Sequence, residues 1–357
     1  MLRINRALGA LITGACRALR NGRGALCLGL LGLGLLAAAC SPQSGSLGPT
    51  VTTPALEANR MRTADGLNLA FHEWRPTGPA TARMLALHGL NDHGANFMAE
   101  SAPPLVEGGL HIFAFDQRGH ARNPRPGIWP GQDALVSDAV AAIRLIRARH
   151  SDLPLFVLGE SMGANVALLA AEQLRAAGES SLVDGWIFLV PGLWVLDDMN
   201  PVTAASFRLA MFQFPRLGVS SGSPAMIATD NSDTLERFNA DPLTLKTTRV
   251  DVVAGLLDLN GAAKPLVATC CTAPSLFLYG ARDSVFEPVP TVATLRSLPA
   301  EGGGRVGLYR EGWHILLRDR QRQVVTDDIL AFTRNPRAAL PSGADAEGAR
   351  WVAQGRM

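Results

Sequence analysis

Short apolar segments alternate with helix-like segments along most of this chain of 357 residues. Several of the apolar segments are continuous, which is typical of strands that are buried on both faces of a parallel sheet. The predicted strands are Leu67–Trp74, Met84–His88, His111–Phe115, Leu155–Gly159, Trp186–Val190, Ser275–Tyr279 and Val306–Tyr309. The predicted helices are Ala134–Arg149, Met162–Ala177, Val289–Leu298 and Arg318–Thr333. This alternation predicts an α/β fold, in which helices flank a mostly parallel sheet on both sides.

The stretch from residue 191 to residue 268 interrupts this alternation. It contains no strong strand pattern, but it does contain amphipathic segments such as Ala204–Phe214 and Thr247–Leu259. We therefore expect a helical cap that is inserted before the last strands of the sheet. The predicted organisation is a signal peptide over 1–39, a flexible tether over 40–59, the first part of the α/β core over 60–190, the helical cap over 191–268, the second part of the core over 269–333 and a mobile tail over 334–357.

The N-terminal segment is typical of an exported protein. An arginine-bearing stretch is followed by an apolar run over Gly24–Ala39, which ends in small residues directly before Cys40. The run has the length of a signal-peptide core and is short for a membrane span. This junction resembles a bacterial lipobox, which implies that Cys40 is acylated and anchors the protein to a membrane of the cell envelope, at the outer membrane or facing the periplasm. The alternatives are an uncleaved signal anchor and an ordinary secretory signal.

Charge and cysteine content exclude several classes of protein. The formal net charge is +2, but the first 39 residues carry five arginines and no acidic residue, so the remaining chain is mildly acidic. That balance argues against a nucleic-acid partner. The five cysteines have no CxxC or zinc-binding spacing, so we expect neither a metal nor a cofactor. We interpret the adjacent Cys270 and Cys271 as small core residues.

The pentapeptide Gly159–Gly163, with the sequence GESMG, follows a predicted strand and begins a predicted helix. A G-x-S-x-G sequence in this context predicts a nucleophile elbow, a tight turn that holds a serine hydroxyl above the sheet. Glycine is expected at Gly159 and Gly163 because a side chain there would collide within the turn. We therefore identify Ser161 as the candidate nucleophile. The N–H of Met162, at the start of the helix, is a candidate oxyanion donor.

The segment His88–His93, with the sequence HGLNDH, follows another predicted strand. The loop in this position is expected to supply the second oxyanion donor, which we assign to the N–H of Leu90. His88 itself is interpreted as a structural residue, because it precedes the serine, whereas the expected chain order is serine, acid, histidine.

The acid and the base are therefore expected after the cap. Asp283 lies just past the strand Ser275–Tyr279, where loops of open parallel sheets present catalytic groups. His314 is the only histidine that follows Ser161 in the sequence. A serine hydroxyl needs a base to take its proton, and the imidazole needs a carboxylate to orient it. Weaker candidates for the acid are Asp251, Asp258 and Glu287.

Together these motifs resemble the α/β-hydrolase superfamily, and within it the monoacylglycerol lipase and lysophospholipase branch, which is also described as S33-like. The resemblance covers residues 60 to 332 and includes, besides the segments above, the FDQRGH, DPL, YGARD and WHIL sequences that begin at Phe115, Asp241, Tyr279 and Trp313. It implies an eight-stranded, mostly parallel sheet with a helical cap over the site. It also implies a triad of Ser161, Asp283 and His314.

A serine nucleophile favours acyl transfer through an acyl-enzyme. The first hypothesis is a membrane-tethered hydrolase of carboxylic esters, with monoacylglycerol or lysophospholipid as the type of substrate. A second hypothesis is a peptidase or amidase of the S33 type, or an acyltransferase. A third, from a different class, is a non-catalytic lipoprotein that binds acyl ligands. The sequence does not identify a protein partner.

Overall fold

The computed structural model describes residues 41–220, 227–299 and 303–355. The strands within them are β1 (Ala55–Glu57), β2 (Arg60–Arg62), β3 (Asn68–Trp74), β4 (Ala82–Leu87), β5 (Leu110–Phe115), β6 (Leu155–Glu160), β7 (Gly185–Leu189), β8 (Gly218–Ser220), β9 (Thr247–Arg249), β10 (Ser275–Gly280) and β11 (Gly304–Tyr309). The helices are α1 (Gly94–Met98), α2 (Ala102–Glu107), α3 (Gln132–Arg149), α4 (Met162–Ala176), α5 (Pro201–Gln213), α6 (Ser232–Ala240), α7 (Val250–Ala263), α8 (Pro288–Leu295), α9 (Arg322–Arg334) and α10 (Ala344–Gln354). Three short 3₁₀ helices cover Ser180–Leu182, Leu196–Asp198 and Lys264–Ala268.

In the described part of the chain, nine strands form the central sheet, in the order β1-β2-β3-β5-β4-β6-β7-β10-β11. The strands from β5 to β11 in this order are parallel, and β1, β2 and β3 extend one edge in antiparallel pairing. Every residue of β4, β5, β6, β7 and β10 is buried, as the continuous apolar segments predict. The prediction of a mostly parallel α/β fold is confirmed. The resemblance implies eight strands, and the short edge strands account for the larger number.

The register of the parallel strands aligns two pairs of loops. Leu87 at the end of β4 lies opposite Gly159 near the end of β6, and Gly280 at the end of β10 lies opposite Tyr309 at the end of β11. The chain leaves these four strands at the same edge of the sheet. In open α/β sheets this carboxyl edge is where ligands bind.

Between β7 and β10 the chain forms helices and a small ribbon outside the central sheet. These are α5, α6 and α7, together with β8 and β9, which pair antiparallel to each other. Helix α5 begins at Pro201, and the side chain of Asn200 caps it by accepting a hydrogen bond from the Thr203 N–H at 2.9 Å. Asparagine in the cap position followed by proline is a strong start signal for a helix.

The first described residues lie against both the cap and the core. The Gln43 N–H donates to Asp251 on α7 at 2.9 Å, and the Gly45 N–H donates to the Trp129 carbonyl at 2.6 Å. The sequence predicts a flexible tether here, and the structure differs, because these backbone groups find fixed partners. Cys40 and the predicted signal peptide lie outside the described residues. Within the described ranges, no helix has both the length and the apolar character needed to cross a bilayer.

The C-terminal segment also differs from its prediction. The sequence predicts a mobile tail over 334–357, but residues 344–354 form helix α10, which packs on β11. Its Trp351 is buried against the rings of Tyr279 and Phe286, at centroid distances of 5.3 and 6.1 Å. The alanine-rich and glycine-rich composition of this segment predicts little stabilising contact with the core. Burial of one large aromatic side chain supplies that contact and stabilises the helix against β11.

Candidate active site

Ser161 stands in a strained turn between β6 and α4. Its backbone has φ 53° and ψ −114°, a left-handed conformation that is rare for any residue with a side chain. A methyl group on Gly159 would approach the Gly163 carbonyl oxygen to 2.3 Å, and one on Gly163 would approach the Leu87 carbonyl oxygen to 2.2 Å. Glycine is therefore required at both positions, as the elbow interpretation expects. Strain of this kind is typical of functional sites.

Asp283 and His314 are brought together from neighbouring strands. The Nδ1 atom of His314 lies 2.7 Å from Oδ2 of Asp283, and the other carboxylate oxygen accepts the Val285 N–H at 2.6 Å. Of their side chains, 12% of His314 and none of Asp283 is exposed to solvent. A buried carboxylate on Nδ1 leaves Nε2 of the same ring as the atom that can accept a proton.

The electrostatic surroundings of His314 favour its protonated form. Burial alone would lower the pKa of the imidazole, but the negative charges of Asp283, Glu160 and Asp319 outweigh burial and raise the pKa above its ordinary value. The hydrogen bond to Asp283 acts in the same direction. A histidine held in this way is a stronger base than free imidazole.

The other acidic candidates do not reach His314. Asp251 is paired with Arg249, with Oδ1 at 3.0 Å from Nε, and it also accepts the Gln43 N–H. Asp258 and Glu287 are exposed. Asp283 is thus the carboxylate that the structure places on His314.

The backbone of the predicted oxyanion loop passes beside Ser161. A methyl group on Gly89 would contact the Ser161 Cβ at 3.6 Å, so the adjoining peptide of Leu90 lies close to the elbow. Met162 is the first residue of α4, where a helix N–H has no acceptor within the helix. The geometry brings both predicted donors to the edge of the sheet that carries Ser161.

His88 is committed to backbone hydrogen bonds. Its Nε2 accepts the Gln117 N–H at 2.8 Å, which fixes Nδ1 as the protonated nitrogen, and Nδ1 donates to the Gly89 carbonyl at 2.8 Å. Burial lowers the pKa of His88, so the ring is neutral. These contacts agree with the structural interpretation of this residue.

A buried ionic cluster behind the elbow was not predicted from the sequence. Arg318 donates to Asp92 at 2.6 Å and to Glu160 at 2.8 Å, and all three side chains are almost fully buried. Glu160 directly precedes Ser161 and Arg318 follows His314 by four residues, so the cluster joins the segment that carries His314 to the turn that carries Ser161. The one signal in the sequence was the charged residue inside the GESMG turn.

The pKa values of the two carboxyl groups in this cluster are shifted in opposite directions. Burial opposes ionisation of Asp92, but the charge of Arg318 and the hydrogen bond from Asn96 keep the pKa of Asp92 below its ordinary value. Burial raises the pKa of Glu160 even though Arg318 acts against it. Nearby, Asp319 accepts the Trp313 N–H at 2.7 Å, and burial raises the pKa of Asp319 to about 7.

Comparison with known proteins supports this picture of the chain. Residues 78–321 match the family described as serine aminopeptidase, S33. The chain is 24% identical to the monoglyceride lipase of Rattus norvegicus over 284 residues, which cover 78% of this chain and 89% of that protein. It is 23% identical to the monoacylglycerol lipase of Mycolicibacterium smegmatis over 268 residues, which cover 75% of this chain and 93% of that protein.

Solved structures share the fold. A soluble variant of monoglyceride lipase from Saccharomyces cerevisiae, in complex with a substrate analogue, superposes with a TM-score of 0.64 at 18% identity, covering 79% of this chain and 96% of that one. The monoacylglycerol lipase of Paleococcus ferrophilus superposes with a TM-score of 0.59 at 20% identity, covering 74% of this chain and 98% of that one. The α/β-hydrolase resemblance predicted from the motifs is thereby confirmed, and the chain belongs to the serine aminopeptidase S33 family of hydrolases.

Proposed function

We propose that this enzyme hydrolyses carboxylic esters of lipid-like substrates, of the monoacylglycerol or lysophospholipid type, through an acyl-enzyme on Ser161. At the coarser level the chain is a serine ester hydrolase. The observation that carries the proposal is the 2.7 Å contact between His314 Nδ1 and Asp283 Oδ2, made at the sheet edge where the strained turn presents Ser161.

Acylation follows from these roles. The free Nε2 of His314 takes the proton of the Ser161 hydroxyl as the oxygen attacks the ester carbonyl, and Asp283 stabilises the imidazolium that forms. The N–H groups of Leu90 and Met162 receive the negative charge that develops on the carbonyl oxygen. Each such donor contributes about 3 kcal/mol to stabilisation of the transition state.

Deacylation reuses the same groups. His314 gives its proton to the leaving alcohol, and then takes one from a water that attacks the acyl-enzyme. The second tetrahedral intermediate places its oxyanion on the same two N–H groups. As it collapses, the bond from the carbonyl carbon to the Ser161 oxygen breaks and His314 returns the proton to that oxygen, which releases the fatty acid and regenerates the hydroxyl and the neutral imidazole. In this scheme the chain needs no other group to complete the reaction.

The cap supports a lipid-like substrate. Its large exposed apolar side chains are concentrated in one stretch of sequence: Val202, Leu209, Phe212, Phe214, Leu217, Val219 and Ile227. Phe212 on α5 is 78% exposed. Exposed apolar side chains that are concentrated in one part of a protein are typical of surfaces that meet a protein, a ligand or a membrane. The names of the relatives, monoglyceride and monoacylglycerol lipases, point to the same class of substrate.

We also propose that the enzyme is a lipoprotein of the bacterial cell envelope, anchored through Cys40. The carbonyl of Ser41 accepts a hydrogen bond from Arg216 Nε at 2.9 Å, so the first described residue is held on the cap. Ser41 directly follows Cys40 in the sequence, and Arg216 lies between Phe214 and Leu217. An acyl group on Cys40 would therefore lie close to the part of the cap that carries these exposed apolar side chains.

A substrate panel tests the proposed reaction. The purified enzyme is expected to hydrolyse monoacylglycerols and lysophospholipids, and to label with a fluorophosphonate probe, whereas Ser161→Ala should do neither. Aminoacyl nitroanilides serve as the comparison, because the family name includes aminopeptidases. Faster turnover of the anilides would establish the peptidase alternative. Labelling without turnover of ester or amide would favour an acyltransferase, and absence of labelling would favour the non-catalytic binder.

Replacing Cys40 tests the anchor. Cys40→Ser should move the protein from the membrane fraction to the soluble fraction, because one lost acylation site removes all of the covalently bound lipid. The measurement is an immunoblot of separated fractions from cells, with Cys27→Ser as the matched control in the same N-terminal segment. Unchanged fractionation of Cys40→Ser would indicate an uncleaved signal anchor instead.

A further inference from the structure

The cap contacts Asn91 of the predicted oxyanion loop from two directions. The side-chain amide of Asn91 donates to Thr248 Oγ1 at 2.6 Å, and the Asn91 carbonyl accepts the Leu245 N–H at 2.9 Å. Asn91 directly follows Leu90, the residue whose N–H is assigned to the oxyanion hole. Leu245 precedes β9 and Thr248 lies within it, so both partners of Asn91 belong to the cap.

The core holds the same loop on the other side of Asn91. The Asp92 N–H donates to the Gly89 carbonyl at 3.4 Å, and the Asp92 carboxylate is fixed by Arg318 at 2.6 Å. Asn91 itself is 8% exposed and has φ 67°, a left-handed conformation in which its side chain and its carbonyl both face the cap partners. The orientation of the Leu90 peptide is therefore fixed from both sides, by the contacts of Asp92 with the core and by the contacts of Asn91 with the cap.

A second contact joins the two segments further along. Nε2 of His93 lies 2.8 Å from Oδ2 of Asp241, and Nδ1 of the same ring accepts the Asn96 N–H at 3.4 Å, so Nε2 is the donor. Asp241 in turn accepts the Leu243 N–H at 2.8 Å, which shapes the start of the cap segment. The cap segment 241–248 is thus attached to the oxyanion loop at both of its ends.

We propose that Asn91 and Thr248 are positioning residues for the oxyanion hole, through which the cap holds the Leu90 N–H in its working orientation. The cap then contributes to the chemical step as well as to substrate binding. This inference rests on one part of the proposed function, namely that attack by Ser161 produces a tetrahedral intermediate with an oxyanion. It applies equally to ester and amide substrates.

Loss of the contact should weaken stabilisation of the transition state more than binding of the substrate. Complete removal of one oxyanion donor lowers kcat by about 10²- to 10³-fold. A Leu90 N–H that remains present but is held less firmly should lower kcat by a smaller factor. We expect a tenfold to thirtyfold loss of kcat with little change in KM. Interactions that exist only in the transition state have this signature.

The test uses the full-length protein and two variants. Thr248→Val removes the hydroxyl and keeps the shape of the side chain, and Asn91→Gly removes the amide and keeps access to the left-handed backbone. Thr247→Val, at the exposed neighbouring position on β9, is the matched control. The readouts are kcat and KM on a p-nitrophenyl ester, and inhibition constants for an alkyl boronic acid and for the product fatty acid. The boronate oxygen occupies the oxyanion hole, whereas the fatty acid reports ground-state binding.

We expect Thr248→Val to weaken boronate inhibition by the same factor as it lowers kcat, with fatty-acid inhibition within twofold and the midpoint of thermal unfolding within about 2 °C of wild type. The double variant should lose no more than either single variant, because the two residues act through one contact. Unchanged kcat and boronate inhibition in Thr248→Val would overturn the inference, as would additive losses in the double variant. A wild-type enzyme that neither turns over esters nor binds the boronate would instead overturn the proposed function.

Discussion

Replacing His314 with alanine is expected to lower kcat by about 10⁴- to 10⁶-fold while the protein remains folded. In the proposed mechanism the imidazole takes the proton of Ser161, and without it the neutral serine hydroxyl is a poor nucleophile. The measurement is ester hydrolysis together with the rate of fluorophosphonate labelling. His150→Gln is the matched control and should retain wild-type kcat. His150 lies at the C-terminal end of α3, with its ring 5.5 Å from that of His111 near the start of β5, whereas Ser161 follows the end of β6. Turnover near the wild-type value in His314→Ala would exclude His314 as the base.

The pH dependence of the wild-type enzyme tests the same residue without altering it. Only neutral His314 can accept a proton, so activity is lost as the pH falls through its pKa. Because Asp283 and the neighbouring carboxylates raise that pKa, the acid limb of kcat/KM should have its midpoint above pH 6.5. Asp283→Asn removes the largest of the opposing charges and should move the midpoint of its residual activity to lower pH. A midpoint that stays in place in this variant would assign the limb to another group, such as Asp319.

The sequence predicts best those parts of the site whose structure is determined by residues that are close together in the chain or by the ends of predicted strands. The glycines at 159 and 163 are required by the turn that they make, so their spacing alone indicates the elbow. Asp283 and His314 lie 31 residues apart, but each follows an apolar strand, and neighbouring parallel strands end at the same edge. The order of the motifs along the chain was therefore enough to suggest the pairing.

The contacts that the sequence could not predict join residues far apart with no repeating pattern between them. Asn91 and Thr248 are 157 residues apart, and Asp92 and Arg318 are 226 residues apart. Each side chain taken alone is typical of an exposed loop or helix end. The C-terminal segment is a similar case, because its small residues predict a mobile tail. In the structure, Trp351, the one tryptophan of α10, packs against the aromatic rings of Tyr279 and Phe286, which are distant in sequence.

Replacing Arg318 with methionine is expected to destabilise the protein by about 3–5 kcal/mol, because it leaves two buried carboxylates without a counter-ion. The side chain of Arg318 is 3% exposed, and those of Asp92 and Glu160 are 4% and 2% exposed. Solvent cannot replace the lost charge, so the carboxylates must take up protons or the loops must open. The expected shift of the thermal midpoint is roughly 5–15 °C downward. The control is Arg208→Ala, which breaks the exposed pair with Asp197 and should cost less than about 1 kcal/mol.

A second substitution separates the charge from the packing of Arg318, which also stacks over the Phe97 ring with its guanidinium carbon 5.7 Å from the ring centroid. Adding Glu160→Gln to Arg318→Met removes one of the stranded charges, so the double variant should recover part of the lost stability, as measured by urea unfolding. If the double variant is as unstable as Arg318→Met alone, the arginine acts mainly by packing. If it recovers stability but not activity, the cluster is needed to hold the His314 loop against the elbow, since Glu160 and Arg318 join the segments that carry Ser161 and His314.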